Sequence, residues 1–269
     1  MIVFPNCKIN LGLNIIRKRN DGYHDLETVF YPVAIKDALE IIPGQKMGFQ
    51  VSGFEVKGSV DDNLCVKAYE LLKKDFPELP LLNIYLHKAI PMGAGLGGGS
   101  SDCAFMLPLI NKKFHLNISN ATLLEYSLQL GSDCPFFIVN QPRFATGRGE
   151  NLLTVDVDFS KYKMVLINPG IHVSTREAFS RLVPAPPQKS IKEIIAQPVT
   201  TWKDELVNDF EKSVFELFPE IKKIKKDLYE AGAIYASMTG SGSTIFGIFE
   251  MKATLNLKVP EKYYCRLVQ

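Results

Sequence analysis

Polar and apolar residues alternate along residues 8–15, which is the pattern of a half-buried β-strand. One face of this strand carries Ile9, Leu11, Leu13 and Ile15, and the other carries Lys8, Asn10, Gly12 and Asn14. Lys8 and Asn10 therefore project together, away from the apolar side. On a surface strand they would lie in bulk water, whereas on a strand that lines a cleft they would form a site. The alternation alone leaves both possibilities open.

Similar patterns predict the other elements of the chain. Further strands are expected at 26–33, 38–42, 48–51, 82–88, 136–139, 163–168, 233–238 and 244–249. Helices are expected at 63–75, 100–113, 119–130, 174–182, 203–217 and 219–231. Pro108 falls inside the second of these helices and predicts a kink or an early end there. The mixture predicts an α+β chain with two halves.

Asp133 lies in the turn that follows the predicted helix 119–130, which has Ser119 as its N-cap and Gly131 just beyond its end. Pro135 disfavours a helical conformation at the residue before it, so the turn should lead directly into the strand 136–139. An aspartate in a turn usually caps its own backbone. The pattern alone therefore favours a capping role for Asp133.

The segment Pro91–Ser101 holds five glycines in seven positions, between the strand-like run at 82–86 and a helix-like run. Glycines let backbone N–H groups approach an anion closely, and the N-terminus of a following helix adds unsatisfied donors and the positive end of its dipole. Ser100 and Ser101 are candidate caps for that helix. The segment is therefore expected to bind phosphate rather than to act as a flexible linker.

Three common phosphate-binding motifs do not fit this loop. A dinucleotide fold needs an acidic residue about twenty positions after its glycines, and 112–124 contains none. A Walker A loop ends in Gly-Lys-Ser/Thr, whereas this one ends Gly99-Ser-Ser-Asp102. The His-Arg-Asp and Asp-Phe-Gly tripeptides of protein kinases occur nowhere in the sequence.

Composition sets the frame for these motifs. The 269 residues exceed the usual size of a single domain, so one large or two closely fused domains are expected. A net charge of +2 gives no reason to expect nucleic acid or an anionic membrane as partner. The five cysteines are scattered, which disfavours a zinc site or a disulfide scaffold. Without a signal-like N-terminus or a long apolar run, a soluble, cytoplasmic protein is expected, either monomer or homodimer.

Three segments resemble the motifs of the GHMP small-molecule kinases. They are Pro5-Asn-Cys-Lys-Ile-Asn-Leu11, the glycine loop at 91–101, and Met238-Thr-Gly-Ser-Gly-Ser243. Within this superfamily, four segments are similar to the branch that acts on a cytidine diphosphate-linked methylerythritol. They are Lys8-Ile-Asn-Leu11, Asp21-Gly-Tyr-His24 with Glu27-Thr-Val-Phe30, Leu96-Gly-Gly-Gly-Ser-Ser101, and Gly131-Ser-Asp-Cys-Pro-Phe136. The resemblance spans nearly the whole chain.

The resemblance implies a GHMP kinase fold with two α/β lobes and a cleft between them, as domains 1–155 and 156–269. It also implies transfer of the ATP γ-phosphate to the 2-hydroxyl of that small molecule, with Mg²⁺ bridging the β- and γ-phosphates. Lys8 and Asp133 would be catalytic. The implied ATP-binding residues are Asn63, Lys88, Pro91, Met92, Gly93, Ala94, Gly95, Leu96, Gly97, Gly98, Gly99, Ser100 and Ser101. The implied substrate-binding residues are Asn10, Tyr23, His24, Phe179, Thr239 and Gly240.

The chain departs from the family pattern beside the phosphate loop. Asp102 and Cys103 follow the serine pair where small residues such as Asn-Ala are expected, and Ala94 replaces a glycine. Asp102 either turns away from the phosphates or helps to hold Mg²⁺, and no protein ligand for the metal is identified with confidence. A kinase for another alcohol, of the homoserine or mevalonate type, and a catalytically silent nucleotide-binding protein stay open as alternatives.

Overall fold

A computed structural model describes residues 1–180 and 182–269 of the protein. The strands are β1 (Ile2–Val3), β2 (Asn6–Lys18), β3 (His24–Lys36), β4 (Ala38–Pro43), β5 (Gly48–Gly53), β6 (Leu82–Lys88), β7 (Arg143–Gly147), β8 (Asn151–Thr154), β9 (Tyr162–Asn168), β10 (Tyr235–Met238), β11 (Ile245–Glu250) and β12 (Tyr264–Val268). The α-helices are α1 (Leu64–Asp75), α2 (Gly98–Phe114), α3 (Asn120–Leu130), α4 (Cys134–Val139), α5 (Thr175–Ser180), α6 (Ile191–Ile195), α7 (Trp202–Glu205), α8 (Phe210–Leu217) and α9 (Pro219–Glu230). Short 3₁₀ helices lie at Val60–Asp62 and Val199–Thr201. This mixture of helix and sheet confirms the α+β class.

The chain forms two compact units, each built from several stretches of sequence. Unit 1 comprises Met1–Cys7, Pro32–Met92 and Gly97–Gln141. Unit 2 comprises Lys8–Tyr31, Gly93–Leu96 and Pro142–Gln269. The domain boundary predicted between residues 155 and 156 stays a prediction.

Unit 1 contains a sheet with the strand order β1-β4-β6-β5, in which β5 runs parallel to β6 and the other pairs are antiparallel. Helices α1 to α4 belong to the same unit, and α1 buries an apolar face that includes Val66, Tyr69 and Leu72. Helix α2 continues through Pro108 to Phe114, so the predicted early end of this helix is wrong. A proline in a helix removes one backbone hydrogen bond, and the apolar packing of α2 outweighs that loss.

The strand predicted at 136–139 is wrong, because Cys134–Val139 forms the helix α4. Pro135 lies in the first turn of this helix, where a missing N–H costs no hydrogen bond and the fixed φ favours the helix. Phe136 and Phe137 are buried. A short apolar run fits a buried strand and a buried helix equally well in the sequence, and here the proline begins a helix rather than preventing one.

Unit 2 contains an antiparallel sheet with the order β10-β11-β9-β12. Helix α9 buries Ile221, Ile224 and Leu228. Strands β2 and β3, joined by a tight turn, belong to a sheet with the order β2-β3-β7-β8. In that turn Arg19 N donates to Tyr23 O at 2.8 Å.

Two helix predictions in unit 2 need correction or restriction. The single helix predicted at 203–217 is wrong, because α7 and α8 are separated by a segment whose backbone pairs with β2. Leu13 N donates to Val207 O at 2.9 Å, and Asp209 N donates to Leu13 O at 2.8 Å. The predicted helix 174–182 corresponds to α5, and its residue 181 lies outside the described residues.

Every described helix is too short or too polar to cross a membrane.

Candidate active site

Lys8 is a buried cation in unit 2. Its side chain leaves β2 with only 4% of the residue exposed. The ammonium donates to Asn10 Oδ1 at 2.5 Å and to the Gly95 carbonyl at 3.1 Å. Nζ also lies 5.2 Å from the centre of the Phe30 ring. Lys8 and Asn10 therefore project together, as the alternation predicted, and the possibility that they lie in bulk water is excluded.

Asn10 links this ammonium to two buried hydroxyls. Its side-chain amide donates to Thr28 Oγ1 at 3.0 Å, and its backbone N–H donates to Thr239 Oγ1 at 3.0 Å. Thr28 in turn donates to the Gly12 carbonyl at 2.6 Å. Asn10 is thus hydrogen-bonded through both its side chain and its backbone.

The first half of the glycine loop, Gly93–Leu96, belongs to unit 2 and packs backbone against backbone. Gly93 and Gly95 have φ values of 61° and 77°, in the left-handed region that favours glycine. A Cβ at Gly95 would lie 2.0 Å from the Thr239 carbonyl oxygen. The loop therefore needs glycine here for its conformation and for its close approach to the turn after β10.

The second half of the loop, Gly97–Ser101, belongs to unit 1 and starts helix α2. Gly97, with φ 69°, is the N-cap, and the helix begins at Gly98. The predicted capping by Ser100 and Ser101 is wrong, because both serines lie inside the first turn. Ser101 Oγ instead donates to the Asn6 carbonyl at 2.6 Å. The cap supplies no side chain, so the first N–H groups of α2 and its positive dipole end suit an anion.

Lys88 is buried beneath this helix start with two carboxylates. Its ammonium donates to Asp102 Oδ2 at 2.6 Å and also to Asp37 Oδ2, and the lysine side chain is 0% exposed. Asp37 Oδ1 accepts the backbone N–H groups of Ala89 and Ile90 at 2.6 and 2.9 Å. Burial lowers the pKa of Lys88, but the charges of Asp102 and Asp37 outweigh burial and raise it. The predicted ATP contact of Lys88 stays a prediction.

Asp102 turns into the protein toward Lys88, the first of the two arrangements left open by the sequence. Only 3% of the residue is exposed. Burial raises the pKa of Asp102 to about 7 against the opposing charge of Lys88, and the Asp37 charge adds to the rise. Among the described residues, Asp102 Oδ1 has no hydrogen-bond partner.

A cavity of about 140 Å³ lies within unit 1 beside the start of α2. Its lining includes Asn63, Met92, Gly99 and Asp102. Asn63 is also the N-cap of α1, where its side-chain carbonyl accepts the Cys65 N–H at 2.9 Å. The cavity thus groups several of the residues predicted to bind ATP, although their contacts with the nucleotide stay predictions.

Asp133 is the residue that immediately precedes helix α4. Its backbone is helical, with φ −84° and ψ −15°. Within the described residues its side chain makes no capping hydrogen bond to α4. The geometry therefore does not support the capping role that the pattern alone favoured, and the catalytic role stays a prediction.

His24 and Phe179 form a ring stack in unit 2. Their centroids lie 4.4 Å apart at an interplanar angle of 23°, and the rings of Phe179 and Phe210 form a T-shaped pair with centroids 4.8 Å apart. Burial, with a smaller effect from the Lys18 charge, lowers the pKa of His24 and favours the neutral ring. Tyr23 is 55% exposed and packs against the Arg148 guanidinium at 4.7 Å rather than on the stack.

Several buried polar residues were not predicted as part of the site. Thr28 and Asn208 join the network around Thr239, and Asp37 joins the pair around Lys88. Asp37 stands between two strand patterns, directly after Lys36, and this position between strands is the one signal in the sequence that marks it. No group of three or more His, Cys, Asp or Glu side chains in the described ranges is arranged to hold a metal ion.

Comparison with known proteins adds family evidence to this geometry. The family model for the N-terminal domain of GHMP kinases matches residues 63–141, and the model for the C-terminal domain matches residues 190–258. A relative from Bacteroides fragilis named 4-diphosphocytidyl-2-C-methyl-D-erythritol kinase is 53% identical over 269 residues, which covers 98% of each chain. A relative of the same name from Cytophaga hutchinsonii is 51% identical and covers 94% of this chain and 93% of its own.

Solved structures give the same result. The crystal structure of a 4-(cytidine 5′-diphospho)-2C-methyl-D-erythritol kinase superposes with a TM-score of 0.79 at 31% identity, and covers 92% of this chain and 90% of that one. The mevalonate kinase of Methanococcus jannaschii superposes with a TM-score of 0.68 at 10% identity, covering 100% and 98% of the two chains. The second likeness concerns the fold alone.

Proposed function

The chain belongs to the family of 4-diphosphocytidyl-2-C-methyl-D-erythritol kinases, which makes it an ATP-dependent small-molecule kinase, and we propose the roles of its residues from this premise. The reaction moves the ATP γ-phosphate to the 2-hydroxyl of 4-diphosphocytidyl-2-C-methyl-D-erythritol and releases ADP. It serves the non-mevalonate route to isoprenoids.

The observation that supports these roles best is the buried Lys8 ammonium, bonded to Asn10 and to the Gly95 carbonyl of the glycine loop. Phosphoryl transfer asks the protein mainly for positioning and for charge stabilisation, because the transition state is loose. In the proposed mechanism Lys8 stabilises the negative charge on the transferred phosphoryl group, and Asp133 accepts the proton of the 2-hydroxyl. Asn10 holds the Lys8 ammonium and faces the acceptor.

We propose that the backbone of residues 91–101 binds the ATP phosphates. The N-terminus of α2 supports this role, since Gly97 caps it without a side chain and leaves its N–H groups to an anion. Mg²⁺ enters as part of the nucleotide substrate, and no step is assigned to a protein ligand of the metal because Asp102 is already bonded to Lys88. Asn63 and Lys88 are proposed on the adenosine side.

The cytidine end is proposed to bind at Tyr23, His24 and Phe179. The neutral His24 ring and its stack on Phe179 support this choice, because flat, uncharged ring faces suit a pyrimidine. A cytoplasmic location and a monomeric or homodimeric state stay predictions.

The experiment is a phosphoryl-transfer assay on the purified chain. The reaction contains ATP, Mg²⁺ and 4-diphosphocytidyl-2-C-methyl-D-erythritol, and ³¹P NMR measures its products. We expect one ADP to be formed for each phosphate monoester. Mevalonate and homoserine serve as control acceptors and should give no product above background. Faster transfer to either control would favour a kinase for another alcohol, and ATP binding without transfer to any acceptor would favour a silent nucleotide-binding protein.

A further inference from the structure

Thr239 lies immediately after β10 and was predicted to bind substrate, yet it is 0% exposed. Its hydroxyl accepts the Asn10 backbone N–H at 3.0 Å. The same hydroxyl lies within donor distance of the Gly95 carbonyl at 3.0 Å and of Asn10 Oδ1 at 3.2 Å. All three contacts are to protein atoms.

Each atom that Thr239 contacts belongs to a residue that also bonds the Lys8 ammonium. The Gly95 carbonyl accepts from both Thr239 Oγ1 and Lys8 Nζ, and Asn10 Oδ1 does the same. A hydroxyl carries one proton, so these two acceptors share it. The Thr239 side chain thus sets the distance between strand β2 and the glycine loop. It does so at Asn10 Oδ1 and the Gly95 carbonyl oxygen, the two acceptors of the Lys8 ammonium.

The backbone around Thr239 is itself fixed. Asn208 Nδ2 donates to the Met238 carbonyl at 2.7 Å and to the Gly240 carbonyl at 2.9 Å, one on each side of Thr239. The loop approaches closely at the same point, since a Cβ on Gly240 would lie 3.2 Å from the Gly95 Cα. A buried hydroxyl on so constrained a turn can act as a spacer of fixed length.

We propose that Thr239 is a positioning residue that holds the Gly95 carbonyl and Asn10 in register and so places the Lys8 ammonium for phosphoryl transfer. This inference rests on the proposed function, because it assigns the ammonium to the transition state. A positioning role predicts a loss in kcat, whereas a substrate contact predicts a rise in the KM of the cytidine substrate. Small misplacements of a catalytic group are costly, about a hundredfold for roughly 1 Å.

The test compares Thr239→Val, which keeps the shape and removes the hydroxyl, with Thr239→Ser, which keeps the hydroxyl. We expect Thr239→Val to lower kcat by about ten- to a hundredfold with both KM values within about twofold, and Thr239→Ser to keep most of kcat. Ser237→Ala is the matched control. It removes a buried hydroxyl from β10, two residues before Thr239, one that bonds Glu211 at 3.1 Å rather than the Lys8 network, and kcat should stay within about twofold.

The rate of hydrogen exchange at the Asn10 backbone amide, measured by NMR, gives a readout that does not depend on activity. It should quicken in Thr239→Val and stay slow in Thr239→Ser and Ser237→Ala. An unchanged kcat in Thr239→Val, equal losses in the valine and serine variants, or a raised KM for the cytidine substrate alone would each overturn the positioning role. If the valine variant does not fold, Thr239→Cys replaces it, because a thiol is only a weak hydrogen-bond donor. A kcat of Thr239→Cys equal to that of Thr239→Ser would then overturn the positioning role.

The outcome for the proposed function is read separately. Wild-type protein that does not phosphorylate the cytidine substrate contradicts the proposed function, whatever the exchange data show. Wild-type protein that does so, together with a Thr239→Val variant of normal kcat, contradicts only the inference about Thr239.

Discussion

The Lys88 ammonium donates to the Asp102 carboxylate across 2.6 Å, with both side chains closed off from water. Lys88 stands at the end of β6 and Asp102 in the first turns of α2, so this pair ties the helix that follows the glycine loop to the sheet of unit 1. Asp37 is the second carboxylate on the same ammonium. One ammonium thus contacts two buried carboxylates, and its removal would take this positive charge away from both.

Lys88→Met should therefore destabilise the protein strongly. Breaking a buried ion pair by removing one partner costs about 3–5 kcal/mol, because the remaining charge stays buried. The free energy of unfolding in urea measures this loss. Lys67→Met is the control, since Lys67 pairs with Asp62 at 3.4 Å on the surface, and its effect should stay within about 1 kcal/mol. A loss of similar size in both variants would show that the Lys88 ammonium is not the balance for these carboxylates.

The stability of the protein should fall as pH rises between the unfolded and folded pKa values of Asp102. The folded pKa of about 7 lies above the ordinary value of 3.8, so between these values the native state holds a proton that the unfolded chain has released. The stabilising contribution of this proton to the free energy of unfolding is fully present below pH 3.8, and it is lost as pH rises through about 7. Unfolding free energies of wild type and Asp102→Asn across this window measure the effect, and the difference between their slopes isolates Asp102. Parallel pH curves would contradict the prediction.

Gly95→Ala should disable the glycine loop. The added methyl would lie 2.0 Å from the Thr239 carbonyl oxygen, so the loop or the turn must move, and we expect kcat to fall by about a hundredfold. Gly232→Ala is the matched control because its φ of +92° imposes the same kind of strain, while no described atom lies within 4 Å of its Cβ position. The control should cost about 1 kcal/mol of stability and leave kcat intact. If both variants behave alike, backbone strain rather than close packing explains the glycine at 95.

The residues near Lys8 show what the sequence could predict. The alternation at 8–15 correctly placed Lys8 and Asn10 on one face, because a strand repeats every two residues whatever its surroundings. The glycines of the loop are local requirements of the backbone, since Gly93 and Gly95 have positive φ values, while phosphate binding by the loop stays a prediction. The family motifs predict what local patterns cannot, namely which polar face belongs to a site.

The remaining contacts depend on residues far apart in the sequence. Thr239 bonds Asn10 across 229 positions, and Lys88 bonds Asp37 across 51. No periodicity connects such pairs, and an isolated Thr or Asp is more often a surface or turn residue. The strand prediction for the segment that forms α4 failed for a different reason, because a six-residue apolar run carries too little periodic signal to separate helix from strand. The split between α7 and α8 likewise follows from backbone pairing with β2 rather than from the sequence of the helices.

Phe179→Leu should weaken binding of the cytidine substrate and leave ATP binding unchanged. Leucine keeps most of the apolar packing but loses the flat ring, and stacking of a base on an aromatic ring is worth about 1–3 kcal/mol. This range corresponds to a KM for the cytidine substrate that rises by roughly ten- to a hundredfold. Steady-state kinetics with each substrate varied in turn measures both values. A matching rise in the KM for ATP would indicate a general defect in folding instead of a lost stacking surface.

Lys8 and Asp133 should behave as one functional unit in a double-mutant cycle. Asp133→Asn is nearly isosteric but cannot take a proton, so kcat should fall by about 10²–10⁴, the range for losing a general base. A loss of kcat smaller than a hundredfold would fit a loose transition state, in which the base contributes less to catalysis. Lys8→Met should lower kcat as well, because the charge on the transferred group loses its buried ammonium.

The double variant should be little worse than the poorer single variant, because residues that share one task are not additive. Single-turnover rates of the four proteins, wild type included, measure the coupling directly and exclude product release as the cause. Losses that simply multiply would show that Lys8 and Asp133 act in separate steps. A wild-type kcat in Asp133→Asn would show that the residue before helix α4 is not the base, and the proton of the 2-hydroxyl would then have another acceptor.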